Sequence, residues 1–248
     1  SRHQELEALM SSADPPSPEE FAKLSKEYAD LTPVVEAITG LRAGNIPVLV
    51  RPPSDNYHHI ARALDAGADG LIMPMVGSKE EAEHIISCMK YPPMGARGVA
   101  LSLAHDHYKP GKASDVLAAA NKRTAFVALI ESAQAIENID AIAAVKGLDC
   151  LWIGHFDLSC SLGINGQFDH AEFKKAERAV KRAAKKHNKA FGRLAPSPAE
   201  CISLYKYGYD VLCYGGDLWV YQQALISGIS AIRDGCKPRR TKKKANKK

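Results

Sequence analysis

Two carboxylates at the ends of apolar runs are the side chains in this sequence best suited to chemistry. Phe126-Val127-Ala128-Leu129-Ile130 leads into Glu131, and Cys150-Leu151-Trp152-Ile153-Gly154-His155-Phe156 leads into Asp157. Each run is short and rich in strand formers, and a helical-looking segment over residues 133–145 separates them, which is the layout of a βαβ unit. In parallel α/β folds the carboxyl ends of the strands form the active face, so Glu131 and Asp157 are expected side by side at one pocket. Paired carboxylate oxygens suit a hard divalent cation, Mg²⁺ or Mn²⁺, which keeps water positions for a substrate to displace. Each acid also has a plainer reading, Glu131 as a cap of the following helix and Asp157 as the start of a turn. A fixed cation, Arg51, ends a third apolar run, Pro47-Val48-Leu49-Val50. Its plainer role is an ion pair with a strand-end acid.

The elements that must hold these groups follow in order. The first forty-odd residues read as helices: 3–10, then one opened by Ser17-Pro18-Glu19-Glu20 as a capping box and running to about 28, then 34–41 restarted by Thr32-Pro33. No strand is evident there. From residue 46 the pattern alternates, with strands at 47–51 and 70–76 and helices at 57–66 and 79–89. Pro and Gly punctuate 91–98, which with the polar segment 104–108 makes a loop long enough to cover a site or join subunits. After a helix near 116–121 come the two acid-bearing strands. A basic helix 171–187, a strand 190–192, a helix 198–207, a strand 209–214 and a helix to 232 complete the chain.

Six strands separated by helices predict an α/β fold with a parallel sheet, most economically a TIM-type (β/α)8 barrel incomplete at its amino end. The expected organisation is a helical segment over 1–45, the barrel over 46–235 and a basic tail over 236–248. No GxGxxG follows a strand and there is no P-loop, so nucleotide binding has no support. The net charge is +5, but residues 237–248 carry eight basic side chains and no acid, so the rest of the chain is net acidic. The tail reads as solvated and without a specific nucleic-acid partner; the alternative is a nuclear localisation signal on an otherwise cytoplasmic protein. The six cysteines lack the spacing of a disulfide framework or a zinc site and read as reduced intracellular thiols. No apolar run reaches the length of a membrane span, and the polar amino end does not resemble a signal peptide.

Order and spacing then resemble one family, the metal-dependent pyruvate aldolases of the HpcH/HpaI group, relatives of the citrate lyase β chain. The stretches that carry the resemblance are Val50-Arg51-Pro52, Leu64-Asp65-Ala66-Gly67-Ala68-Asp69-Gly70 with Met73-Pro74-Met75-Val76, Tyr91-Pro92-Pro93 through Arg97-Gly98, Ile130-Glu131-Ser132 with Glu137-Asn138-Ile139-Asp140, and Gly154 through Asp157-Leu158-Ser159 with Leu162-Gly163. They span about three quarters of the chain and imply a phosphoenolpyruvate/pyruvate-domain-like barrel. The resemblance implies that Glu131 and Asp157 are the protein ligands of a divalent metal, Mg²⁺ first and Mn²⁺ or Co²⁺ as alternatives. It also implies that Arg51 faces the developing enolate oxygen, and that backbone NH groups of Gly154, His155 and Phe156 hold the carboxylate of a 2-oxo acid. His155 and Phe156 stand where the family usually has small residues or proline, which narrows the pocket. Asp65 matches an acid that orients a catalytic histidine.

That histidine is the main departure. The family carries it in an acid-Glu-His motif on an early strand, and the nearest stretch here is Lys26-Glu27-Tyr28-Ala29-Asp30-Leu31, with tyrosine in its place. Tyrosine, titrating near 10, is a poor base at neutrality. The two first barrel strands are absent from the pattern, leaving an edge for a helix or a partner subunit to cover. Leu129 stands where the family has glutamine. His105, His107 and His155 remain as candidate bases, each with a plainer reading as a loop or surface histidine; His58 and His59 fall at a helix start. The leading expectation is metal-dependent retro-aldol cleavage of a 4-hydroxy-2-oxo acid to pyruvate and an aldehyde, by a homo-oligomer with the last helix at the interface. The alternatives are oxaloacetate decarboxylation at the same site, which needs no base for a hydroxyl, and an impaired paralogue that keeps the metal site alone.

Overall fold

The computed structural model describes residues 2–12, 16–102, 106 and 108–236. The basic tail and the histidines 105 and 107 lie outside them. Two helices, α1 (Arg2–Met10) and α2 (Pro18–Ala43), precede β1 (Leu49–Val50) and α3 (Tyr57–Asp65), and β2 (Gly70–Met73) is followed by α4 (Lys79–Met89) and α5 (Ala113–Arg123). Then come β3 (Ala125–Ile130), α6 (Ala133–Glu137), α7 (Ile139–Ala143), β4 (Cys150–Ile153), α8 (His155–Ser161), α9 (Ala171–Lys186), β5 (Ala190–Ala195), α10 (Pro198–Tyr207), β6 (Val211–Tyr214) and α11 (Asp217–Gly235). The strands form one sheet in chain order, parallel through the registered pairs from β1 to β5. This is the expected fold class, an incomplete (β/α)8 barrel whose six strands are those read from the sequence.

The described residues divide into two compact units, one running through Arg193 and including Tyr209–Val211, the other Leu194–Gly208 with the chain from Leu212 on. In the first unit β3 is buried along Phe126–Ile130 on both faces, as parallel strands under helices must be. The apolar stripe of α9, Phe173, Ala176, Val180, Ala183 and Ala184, is buried opposite a lysine-rich face. A repeated aspartate sets the register. Asp69, Asp149 and Asp210 each stand one residue before β2, β4 and β6, and each donates its NH to the carbonyl of the first paired residue of the preceding strand, Val48, Phe126 and Phe191, at 2.8, 3.0 and 2.8 Å. Each carboxylate accepts the NH of the same residue at 3.0, 2.8 and 3.0 Å. These clips sit at the amino ends of the strands and leave the carboxyl ends free for a site.

In the second unit, α10 opens with Ser197 accepting from the Glu200 NH at 3.2 Å and closes at Gly208 with φ 109°. The last helix, α11, has no buried residue and exposes Leu218, Trp219, Tyr221, Ile226, Ile229 and Ile232. Among the described residues no helix is long and apolar enough to cross a membrane.

Three local expectations are corrected. Residues 17–41 form one helix, not two: Pro33 lies inside α2, and because Pro33 and Ala29 are both exposed, water can serve the carbonyl that proline leaves without a partner. Residues 133–145 form two short helices that meet at Asn138, whose side chain donates to the Gly77 carbonyl at 2.8 Å. Asp157 does not end a strand; β4 stops at Ile153, Gly154 turns the chain, and Asp157 falls in the first turn of α8.

Candidate active site

Glu131 follows β3 directly, so its backbone is placed by a fully buried strand, and the residue is 5% exposed. One carboxylate oxygen, Oε2, accepts the Met75 NH at 2.9 Å. Met75 stands just past β2 with φ 57°, a backbone conformation that non-glycine residues adopt rarely and that here aims the NH at the neighbouring strand's acid. Gly154 presses on the other side. A Cβ there would lie 2.4 Å from Glu131 Cγ and Oε1, so only glycine admits this carboxylate beside the turn into α8.

Asp157 is exposed on the first turn of α8 and approaches Glu131 closely enough to share a hydrogen bond with it, while Arg51, just past β1, acts on the same carboxylate through its charge. Burial is the main cause that pushes the Glu131 carboxyl above its ordinary range, and Asp157 adds to it; the Met75 NH and Arg51 oppose it. Two acids and one guanidinium expected from the sequence therefore act on one locus.

The donor set fits a hard divalent cation. Two carboxylates this close repel when both are ionised, which a cation between them relieves. Among the described residues no group of three or more His, Cys, Asp or Glu side chains forms a closed cage. A cation on Glu131 and Asp157 would keep positions for a small oxygen ligand, as catalytic sites require.

The remaining expected residues are placed as follows. Gly154 caps α8 without a side-chain cap, and His155 and Phe156 occupy its first turn. His155 is buried, its ring centroid 4.6 Å from Phe156 and 4.9 Å from Phe168. Burial first, then the nearby Arg193 cation, pushes its imidazole down to about 4, so it is neutral near pH 7 and a weak base. Arg193 lies over Phe168 at 5.5 Å and pairs with the buried Glu177 at 3.6 Å, which fixes the back of this aromatic group. Phe156 is 61% exposed beside Asp157. Asp65 ends α3 and accepts Arg97 Nη2 at 2.5 Å; Arg97, 2% exposed at its side chain, also lies over the Tyr91 ring at 4.6 Å. The acid that the resemblance pairs with a histidine thus holds the 91–98 loop. Leu129 is buried within β3.

Sequence reasoning missed two parts of the site. The Met75 NH carries no side-chain signal; only its position after Pro74, at the end of a strand next to β3, hints at it. His59, assigned only to a helix start, lines a cavity of about 560 Å³ together with Arg51 and α2. Of the stretch nearest to the missing histidine motif, Lys26, Glu27, Asp30 and Leu31 also line it, while Tyr28 stacks on His3 of α1 with centroids 4.3 Å apart.

Comparison with known proteins accords with this geometry. The profile described as HpcH/HpaI aldolase/citrate lyase matches residues 24–224. The chain is similar to 5-keto-4-deoxy-D-glucarate aldolase of Shigella boydii serotype 18, 34% identical over 203 residues that cover 81% of this chain and 78% of the relative. Among solved structures, an HpcH/HpaI aldolase from Desulfitobacterium hafniense DCB-2 superposes with a TM-score of 0.77 at 31% identity, covering 81% of this chain and 78% of that one. A citrate synthase superposes with a TM-score of 0.72 at 27% identity over 81% and 78% of the two chains. By the extent of the profile match and the identity to full-length relatives, this chain belongs to the HpcH/HpaI aldolase/citrate lyase family, whose members are carbon–carbon lyases of the aldolase type.

Proposed function

We propose that the protein cleaves a 4-hydroxy-2-oxo acid to pyruvate and an aldehyde, using a divalent cation, Mg²⁺ first, held by Glu131 and Asp157. The observation that carries this reading is the action of Asp157 and Arg51 on the one buried Glu131 carboxylate. The cation, when bound, supplies Lewis-acid polarisation of the 2-oxo group. Arg51 contributes a fixed positive charge where negative charge gathers on the 2-oxo oxygen as the C3–C4 bond breaks and its electron pair moves into the pyruvate fragment. Glu131 is held in place for this by the Met75 NH and by the absence of a side chain at Gly154. The first-turn backbone of α8 at Gly154, His155 and Phe156 receives the substrate carboxylate, and Phe156 walls the pocket.

The same residues support a second reading, decarboxylation of oxaloacetate, which needs charge stabilisation but no acceptor for a hydroxyl proton. Two observations favour it: Arg97 engages Asp65, and the imidazole of His155 is pushed down to about 4. The exposed apolar side chains of α11 support a homo-oligomer in which this helix packs on a second copy.

A coupled assay for pyruvate tests the reading. Protein loaded with Mg²⁺ or Mn²⁺ is expected to release pyruvate from 4-hydroxy-2-oxo acids, and Glu131→Ala to abolish it. Comparison with oxaloacetate separates the two readings, and the absence of pyruvate from every substrate at full metal loading rejects both.

A further inference from the structure

The cavity shared by α2 and the β1–α3 edge is in the size range of small-molecule sites, at about 560 Å³. Leu31, Val34 and Val35 of α2 form one wall, and Val50, Pro52 and Ala63 the other. Its charges are mostly spent on one another. Glu27 pairs with Arg62 at 2.8 Å and with Arg2 at 2.9 Å, and Lys23 with Glu19 at 3.1 Å. Lys26 and Arg51 have no ion pair within 4.0 Å among the described residues, and Asp30 is the one acid on the wall outside those pairs. The space is therefore an apolar chamber with a cation at the end where Arg51 also acts on Glu131.

We propose that this chamber receives the distal part of the substrate, and that the substrate class is 4-hydroxy-2-oxo acids with an unbranched alkyl chain beyond C4. The inference rests on the pyruvate-releasing reading and sharpens it. Arg51 belongs both to the charged locus and to the chamber wall, so a molecule whose oxo-acid head lies at Glu131 and Asp157 extends its tail past Arg51 between α2 and α3. A sugar-acid tail would set hydroxyls and a second carboxylate against valine and leucine without partners, at a cost in affinity; an alkyl tail is matched. The specificity arises because α2, a helix with an apolar face, stands beside the first strand of the incomplete barrel.

Calorimetric titration of the Mg²⁺-loaded protein with pyruvate and with 2-oxooctanoate tests this without turnover. The longer acid is expected to bind about tenfold tighter or more, since several methylenes leave water. Val35→Trp, which fills the chamber, is expected to reduce that preference to within about twofold while pyruvate binding stays unchanged; Val35→Ala keeps the preference. Val34→Trp, at a more exposed position of the same wall, serves if Val35→Trp does not fold. Pyruvate binding with no chain-length preference, or a preference that a filled chamber leaves intact, overturns the proposal and leaves the proposed reaction standing. A chain-length preference abolished by Val35→Trp, with no binding of pyruvate, keeps the chamber and removes the pyruvate site. Binding of neither acid overturns both.

Discussion

Replacing Gly154 by alanine is the sharpest test of the site's geometry, because one methyl group is aimed at one carboxylate. The added Cβ would meet Glu131 Cγ and Oε1 at 2.4 Å and Cδ at 2.8 Å. Ordinary contact begins near 3.4 Å, so the carboxylate or the turn must move by about 1 Å. Glu131 has little freedom to do so: it is 5% exposed, and retreat stretches its 2.9 Å bond to the Met75 NH. Loss of that charged hydrogen bond costs about 1.5–3 kcal/mol, and a misplacement of about 1 Å in a reacting group costs about a hundredfold in rate. Gly154→Ala is thus expected to weaken Mn²⁺ binding, followed by electron paramagnetic resonance, by about tenfold or more, and to lower pyruvate release by about a hundredfold. Gly228→Ala on α11 is the control, since an added Cβ there meets nothing within 4 Å. Wild-type Mn²⁺ affinity and turnover in a folded Gly154→Ala protein would refute the placement of Glu131 beside the α8 turn, and with it the site.

Other expectations follow from the rest of the molecule. Asp149→Ala removes the acceptor of the Phe126 NH at 2.8 Å and is expected to cost about 1–3 kcal/mol in urea unfolding with an unchanged m-value; a loss below about 0.5 kcal/mol would show that the register clip is dispensable. The Cys150 thiol is pushed up to about 12 by burial, with Asp210 and Asp149 adding to the shift. Because the unfolded thiol ionises near 9, Cys150 contributes stability that is present below pH 9 and lost as pH rises toward 12, on the order of a few kcal/mol. A Cys150→Ala protein is expected to lose stability less steeply over that window, and thiol reagents at pH 8 are expected to label the exposed Cys160 and spare Cys150. Trp219 is 60% exposed on α11, and Trp219→Asp is expected to lower the mass measured by sedimentation; a wild type that is monomeric at micromolar concentration removes α11 as an interface.

The parts of the fold legible in the sequence are those fixed by neighbours along the chain. β3 and β4 are apolar runs with a carboxylate or a glycine at their ends, so Glu131 and the turn at Gly154 could be located from composition and spacing. Asp157 was legible as a site residue but not in its element, because α8 has only seven residues and no side-chain cap at its start. The aspartates before β2, β4 and β6 were visible as a repeated Asp one residue ahead of an apolar run, yet their function depends on a bond to the preceding strand, which local pattern does not encode. α2 misled for a specific reason. Proline after threonine is a strong restart signal, and the helix continues through it because the affected carbonyl is on an exposed face. The Met75 NH and the place of His59 were beyond reach, since each depends on a contact between elements distant in sequence.

The misread helix and the missing histidine are two aspects of one arrangement. The groups that stabilise charge at the 2-oxo end belong to β3, the turn after β4 and the residue after β1, and they stand on a sheet whose register is clipped at its far end. The groups on the side where a hydroxyl proton must leave come from α2 and α3, which lie against the first strand of the incomplete barrel. A chain that keeps the first set unchanged and rebuilds the second retains the ability to form a pyruvate enolate while changing what it is formed from. The Asp65–Arg97 pair fits this division: the acid has moved from the proton-handling side to anchoring a loop, and the charge-stabilising side does not depend on it. Substrate choice and proton handling are therefore expected to respond to substitutions in α2, and metal affinity to substitutions around Gly154, with little exchange between the two.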